Sequence, residues 1–211
     1  PFEGARAALA RARARPVTAP DPDGDTLPRL QAATEEFRRR DDRAAAALSA
    51  TLAALHHRAA RDLDGPRDLA RTATDLAPTP WLATFADLAI GVTELRAGAA
   101  RTALRRFAAA EATLAEIDRR GAALAAFLQG AHDAGGDTDP LEHLGRARVG
   151  ARAVGDRPPE ASARLVSLQC LRARGHPPPA GVCAAIAAQC HGTGLAAFAT
   201  LARNLAHADH R

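Results

Sequence analysis

The sequence predicts an all-α protein assembled from successive helix pairs, and three observations predict it. Apolar residues recur at three- and four-residue steps over most of the chain, which is the pattern of a helix burying one face. Alanine supplies much of the 47% hydrophobic content while aromatics make up only 3%, and alanine enters a helix with no loss of side-chain entropy. Gly, Pro and Asp interrupt the pattern repeatedly, and no stretch alternates with period two, so no strand is expected.

The elements follow in order. Residues 1–15 read as a short helix, and 16–25, PVTAPDPDGD, as a Pro-rich linker. Together they form a loosely attached N-terminal segment, with a helical-repeat domain over 26–211. The first helix of that domain aligns Leu27, Leu30, Thr34 and Phe37, and closes on three arginines that suit the negative end of a helix dipole. Residues 42–60 align Leu48, Leu52, Leu55 and Ala59. Asp64-Gly65-Pro66 breaks and restarts the chain, and Leu69, Ala73 and Leu76 follow before Pro78 and Pro80.

Trp81, Phe85, Leu88, Val92 and Leu95 then fall at steps of 4, 3, 4 and 3, which is one helix face. Gly98 ends it. Leu104, Phe107, Ala110, Leu114 and Ile117 make the next stripe, ended by Gly121. Leu124, Phe127, Leu128 and Ala131 precede Gly135-Gly136, and Asp139-Pro140 restarts the chain with Leu141, Leu144, Ala147, Ala151 and Val154. Beyond Gly155, Leu165, Leu168 and Leu171 mark a helix ended by Gly175 and three prolines. Val182, Ile186 and Cys190 mark another, and Leu195, Phe198, Leu201, Ala202 and Leu205 the last.

The charge pattern narrows the function. All 28 basic residues are arginine, against 24 acids, for a net charge of +4. A high-GC genome is the expected reason for the missing lysine. The signs are interleaved, as on solvated helix faces, and direct nucleic-acid binding is not expected. One local excess lies at the start, with Arg6, Arg11, Arg13 and Arg15 against Glu3. No apolar run is long enough to span a bilayer and no tripartite signal segment opens the chain. The sequence contains no Met, so a fragment of a larger protein is expected. Three cysteines without paired spacing suggest a reducing cytoplasm.

Catalytic and metal chemistry find no pattern. His176, Cys183, Cys190 and His191 lack zinc spacing, and Cys183 and Cys190 read as small buried residues on one helix face. His56 and His57 are adjacent, point apart on a helix, and read as a solvated helix end. No phosphate loop, nucleophile elbow or H-E-x-x-H helix is present. Glu35, Glu36, Glu94, Glu111 and Glu116 read as scattered surface carboxylates. No enzyme activity, cofactor, metal or catalytic residue is expected.

Gly65, Gly98, Gly135 and Gly175 each fall between two amphipathic segments, at spacings of 33, 37 and 40. A period in this range is that of helix–turn–helix arrays, whose units hide their apolar sides by stacking. The segment from Thr84 to Ile117 resembles the tetratricopeptide family. Ile90-Gly91 stands at the family's Leu-Gly, Gly98 at the turn, and Ala103-x3-Phe107 with Ala110 at its A-x3-F. Equivalent steps give Ala70 and Ala77, Leu144 and Ala147, and Ala180 and Ala187 in the other units. The departures are Thr74, Leu144 and Ala184 at the Phe position, Pro140 where Ala is expected, and unmatched Trp and Tyr positions. A generic α-helical solenoid stays open as the alternative.

The resemblance implies a right-handed α-α superhelix of about ten helices, with four pairs plus flanking helices. It also implies that the first helix of each pair lines a concave surface. Phe85, Leu88, Val92 and Arg96 would then face a groove for an amphipathic helix or acidic peptide, unless that stripe is simply core. Strings such as EEFRRRDDRAAAALSATLAAL are similar to the helical regions of large LuxR-type and AfsR-type bacterial activators. That likeness implies a protein-interaction or effector-sensing module of a transcriptional regulator. A stand-alone scaffold, or a nucleic-acid binder using faces such as Arg146, Arg148 and Arg152, are the alternatives. The last helix lacks a sequence partner and is expected to pack on a missing segment, another subunit or an earlier helix.

Overall fold

Each amphipathic segment read above folds as a helix. The computed structural model describes residues 2–14, 25–57, 63–133, 139–176, 178–192 and 195–207. Among them are eleven helices and no strand. In order they are α1 (Phe2–Ala14), α2 (Thr26–Arg39), α3 (Arg43–His56), α4 (Asp64–Leu76), α5 (Pro80–Arg96), α6 (Ala100–Ala115), α7 (Arg119–His132), α8 (Pro140–Ala153), α9 (Arg157–Ala173), α10 (Ala180–Gly192) and α11 (Ala196–His207). Most of the linker expected at 16–25, and Gly135-Gly136, lie outside the described residues. No helix among the described residues is long and apolar enough to cross a membrane.

Local chemistry sets the helix ends. Side chains of Asp42, Thr79, Asp118 and Asp139 accept the first free N–H groups of α3, α5, α7 and α8, which otherwise lack partners. The C-terminal ends share one turn. Ala99, Asp156 and His176 each donate to the carbonyl five residues back, at 2.9, 2.9 and 3.0 Å. The residue before each is a left-handed glycine, Gly98, Gly155 or Gly175. Asp42 makes the same bond to Phe37 at 3.0 Å, but Asp41 holds the left-handed position at φ 58°. These turns mark helix ends, not the phase of a repeat. Gly65 corrects the glycine ruler directly, because it sits in the first turn of α4 rather than between helices.

The chain divides into two compact units, residues 1–106 and 107–211. In the first, α1 is not loosely attached. Ala5, Ala8 and Ala12 are buried, and the ring of Phe2 meets Phe37 edge-on at 5.9 Å. α3 touches α1, α2, α4 and α5 and is buried on all sides from Ala46 to His56 apart from half-buried Leu48. Its alanines let neighbours approach closely. The hydroxyls of buried Ser49 and Thr51 donate to their own helix, to the Ala45 and Ala47 carbonyls at 2.7 and 2.9 Å, so they cost little desolvation.

In the second unit α7 and α8 pack nearly backbone to backbone. A Cβ on Gly130 would stand 2.7 Å from Leu144 Cγ and 2.8 Å from the Pro140 carbonyl oxygen. Leu165, Leu168, Cys183, Ile186, Cys190, Ala202 and Leu205 join α9, α10 and α11 in one core. The last helix thus covers itself on earlier helices, with Leu205 buried and Phe198 packed against that core.

One contact rule recurs within each unit. Every helix pair adjacent in sequence from α1 to α5, and from α7 to α11, is in contact. The odd-numbered helices also meet: α1 with α3 and α3 with α5 in the first unit, α7 with α9 and α9 with α11 in the second. The backbones of α2 and α4, and of α8 and α10, approach each other less among the described residues, although Leu76 of α4 packs on the cluster that holds Phe37 of α2.

Candidate functional site

The stripe expected to line a groove on α5 is largely an internal seam. Leu88 is 2% exposed and belongs to the core. Phe85 and Val92 are half-buried against Ala54 and Leu55 of α3 and Ala70 of α4, and Phe85 stacks on Trp81 at 5.6 Å. Arg96 reaches 39 residues back and donates to the His57 carbonyl at 2.7 Å and the Leu55 carbonyl at 3.4 Å. Its guanidinium closes the C-terminal end of α3. Helical spacing fixes which residues share a face. It does not say whether that face meets a ligand or the next helix.

Other groups singled out in the sequence also find structural settings. His56 and His57 are buried, not solvated, because α3 ends inside the first unit. Cys183 and Cys190 are buried as expected, and burial pushes the Cys190 thiol above its ordinary pKa. No group of three metal-ligating side chains occurs among the described residues. The carboxylates are less scattered than they read. Glu94 and Asp87 of α5 together hold Arg106. Glu111 accepts from Gln129 of α7 and from Arg146 of α8, the latter at 2.8 Å. Arg146 also pairs with Glu142, and Arg152 with Glu160. Two of the three arginines on α8 are thereby engaged with carboxylates.

An open concavity among the described residues of the first unit lies between α1 and α2, with a volume of about 380 Å³. Buried Ala5, Ala8 and Ala33 form its floor, flanked by exposed Gly4 and Ala32. The two helices run antiparallel, as the Phe2–Phe37 contact at one end and the Ala12–Leu30 cluster at the other require. Arg39 therefore stands beside Gly4, and Arg29 beside Arg11. The lining carries three guanidiniums and one carboxylate, that of Glu36.

Glu36 holds the Gly4 end in place. Its side chain is 6% exposed, and it accepts from Arg40 Nε at 2.7 Å while pairing with Arg39. The hydrogen bond from Arg40 outweighs burial and holds the carboxyl below the ordinary glutamate pKa. Arg40 also lies over the Phe2 ring, 4.4 Å from its centroid, which ties α2 to the start of α1. Sequence reasoning noticed the arginine excess near the start but not the cleft. The available signal was Gly4-x3-Ala8 facing Ala32-Ala33, small residues at helical spacing on consecutive helices.

Fold and geometry together define an all-α protein with a basic, small-residue cleft on its first helix pair. Comparison with protein-family models, curated proteins and solved structures found no match.

Proposed function

We propose that this chain is a helical-repeat interaction module, a right-handed superhelix of the tetratricopeptide-like kind, that works by binding a protein or peptide. The observation that carries the reading is the contact rule: within each unit, successive odd-numbered helices touch one another as well as their chain neighbours. A stack of two-helix units needs that pattern, because each first helix packs on its own partner and on the first helix of the next unit. Phe85 and Val92 supply this seam between α3 and α5.

Paired helices with little intrinsic chemistry bind rather than react, and fold analogy suggests a peptide or partner domain as the ligand. The likeness to LuxR-type and AfsR-type activators would make the module the sensing or coupling part of a regulator. The direct nucleic-acid alternative is weakened by the engagement of Arg146 and Arg152 with carboxylates.

The test is selection of a displayed random-peptide library on the purified chain, followed by titration of the recovered peptides. Saturable one-to-one binding at about physiological salt supports the reading, since purely electrostatic contacts are screened there. No enrichment over an unrelated Ala-rich helical protein overturns it. A crystal structure tests the superhelix separately.

A further inference from the structure

We propose that the cleft between α1 and α2 docks an acidic amphipathic helix of a partner protein. This rests on the interaction-module reading and names the kind of partner. Three observations carry it.

The first is charge placement. Guanidiniums stand at both ends of the cleft, Arg39 beside Gly4 and Arg29 with Arg11 at the other end. The side chains of Arg39 and Arg29 are 70% and 53% exposed, and their ion pairs with Glu36 and Asp25 leave other N–H donors facing outward. Arg11 is exposed and makes no ion pair among the described residues.

The second is the floor. Ala5, Ala8 and Ala33 place nothing larger than a methyl group there and exposed Ala32 adds apolar surface at the edge, so another helix can approach closely and cover it. A nucleic-acid backbone would gain nothing from that floor, because its affinity comes from phosphate contacts to cations.

The third is span. The cleft runs from Gly4 to Arg11 along α1, about 10 Å, and from Arg29 to Arg39 along α2, about 15 Å, so its cationic ends stand about 10–15 Å apart. Two carboxylates at positions i and i+7 of a helix stand about 10 Å apart on one face, within reach of long arginine side chains leaning inward from the two ends. A partner helix with acids at that spacing and small or apolar residues between them satisfies both ends and the floor together.

The structure supplies clean variants. A Cβ at Gly4 would meet nothing within 4 Å, so Gly4→Leu adds bulk at a residue lining the cleft from an open backbone position and favours the helix over glycine. Arg11→Glu reverses one end and breaks no ion pair among the described residues. The probe is a fluorescein-labelled, alanine-based helical peptide of about 18 residues with glutamates at i and i+7. It is titrated by anisotropy against the full chain at about 150 mM salt.

The expected result is saturable binding that weakens about tenfold or more in each variant, while melting shows Gly4→Leu at least as stable as the parent. Shifting one glutamate to i+5 should also weaken binding. Failure of the peptide to bind, or binding to either variant as tight as to the parent, overturns the proposal. So does tighter binding by a duplex DNA probe that displaces the peptide. If library-selected peptides bind parent and variants alike, the cleft is wrong and the interaction module stands.

Discussion

The guanidinium of Arg96, at the last turn of α5, donates to the main-chain carbonyl of His57, just beyond the last turn of α3, at 2.7 Å. Terminal carbonyls of a helix have no partner within it, and a cation there also meets the negative end of the dipole. Arg96→Ala should therefore lower stability by about 1–2 kcal/mol, read as a reduced urea midpoint. An unchanged midpoint would show that water serves the α3 carbonyls equally well.

Leu88 separates core from groove. At 2% exposure its removal leaves a cavity, and Leu88→Ala should cost about 2–5 kcal/mol. Denaturant titration is the measurement. A stable Leu88→Ala protein with weakened peptide binding would instead restore the α5 stripe as a binding surface.

Two left-handed positions should respond with opposite signs. Asp41 holds φ 58° with an L side chain, whereas Gly98 holds φ 79° without one. Asp41→Gly relieves strain and should stabilise by about 0.5–1 kcal/mol. Gly98→Ala introduces strain and should destabilise by about 1 kcal/mol. Paired thermal melts compare them, and two shifts of the same sign would contradict the shared turn.

Acid should loosen the α1–α2 pair. The folded-state pKa of Glu36 lies below its ordinary value, so the unfolded chain binds more protons in mildly acidic solution. The stabilisation from this carboxylate is complete above the ordinary glutamate range and is lost as pH falls through the lowered value. Glu36→Gln should flatten stability against pH in that window. Some slope should remain from Asp139, whose pKa the Arg174 hydrogen bond also lowers. An identical acid limb in parent and variant would remove Glu36 as its source.

The helices and most of their ends were legible in the residues. Asp42, Thr79, Asp118 and Asp139 cap their helices within three positions, and Gly98, Gly155 and Gly175 end theirs within six. Such interactions are local, so a one-dimensional string contains both partners. Glycine misled where function was inferred from it. Gly65 starts a helix, and Asp41 makes the turn expected of glycine, so glycine spacing alone does not give the repeat.

The sequence by itself determined an all-α chain, the faces its apolar residues share, and the burial of Cys183 and Cys190. Only the tertiary structure decided what each face meets. It put Leu88 in the core, sent Arg96 to carbonyls 39 and 41 residues away, buried Glu36 among arginines, and opened a cleft between α1 and α2. The reason is range. Periodicity and capping act within a turn or two of the chain, whereas burial and electrostatics depend on neighbours that only folding brings together.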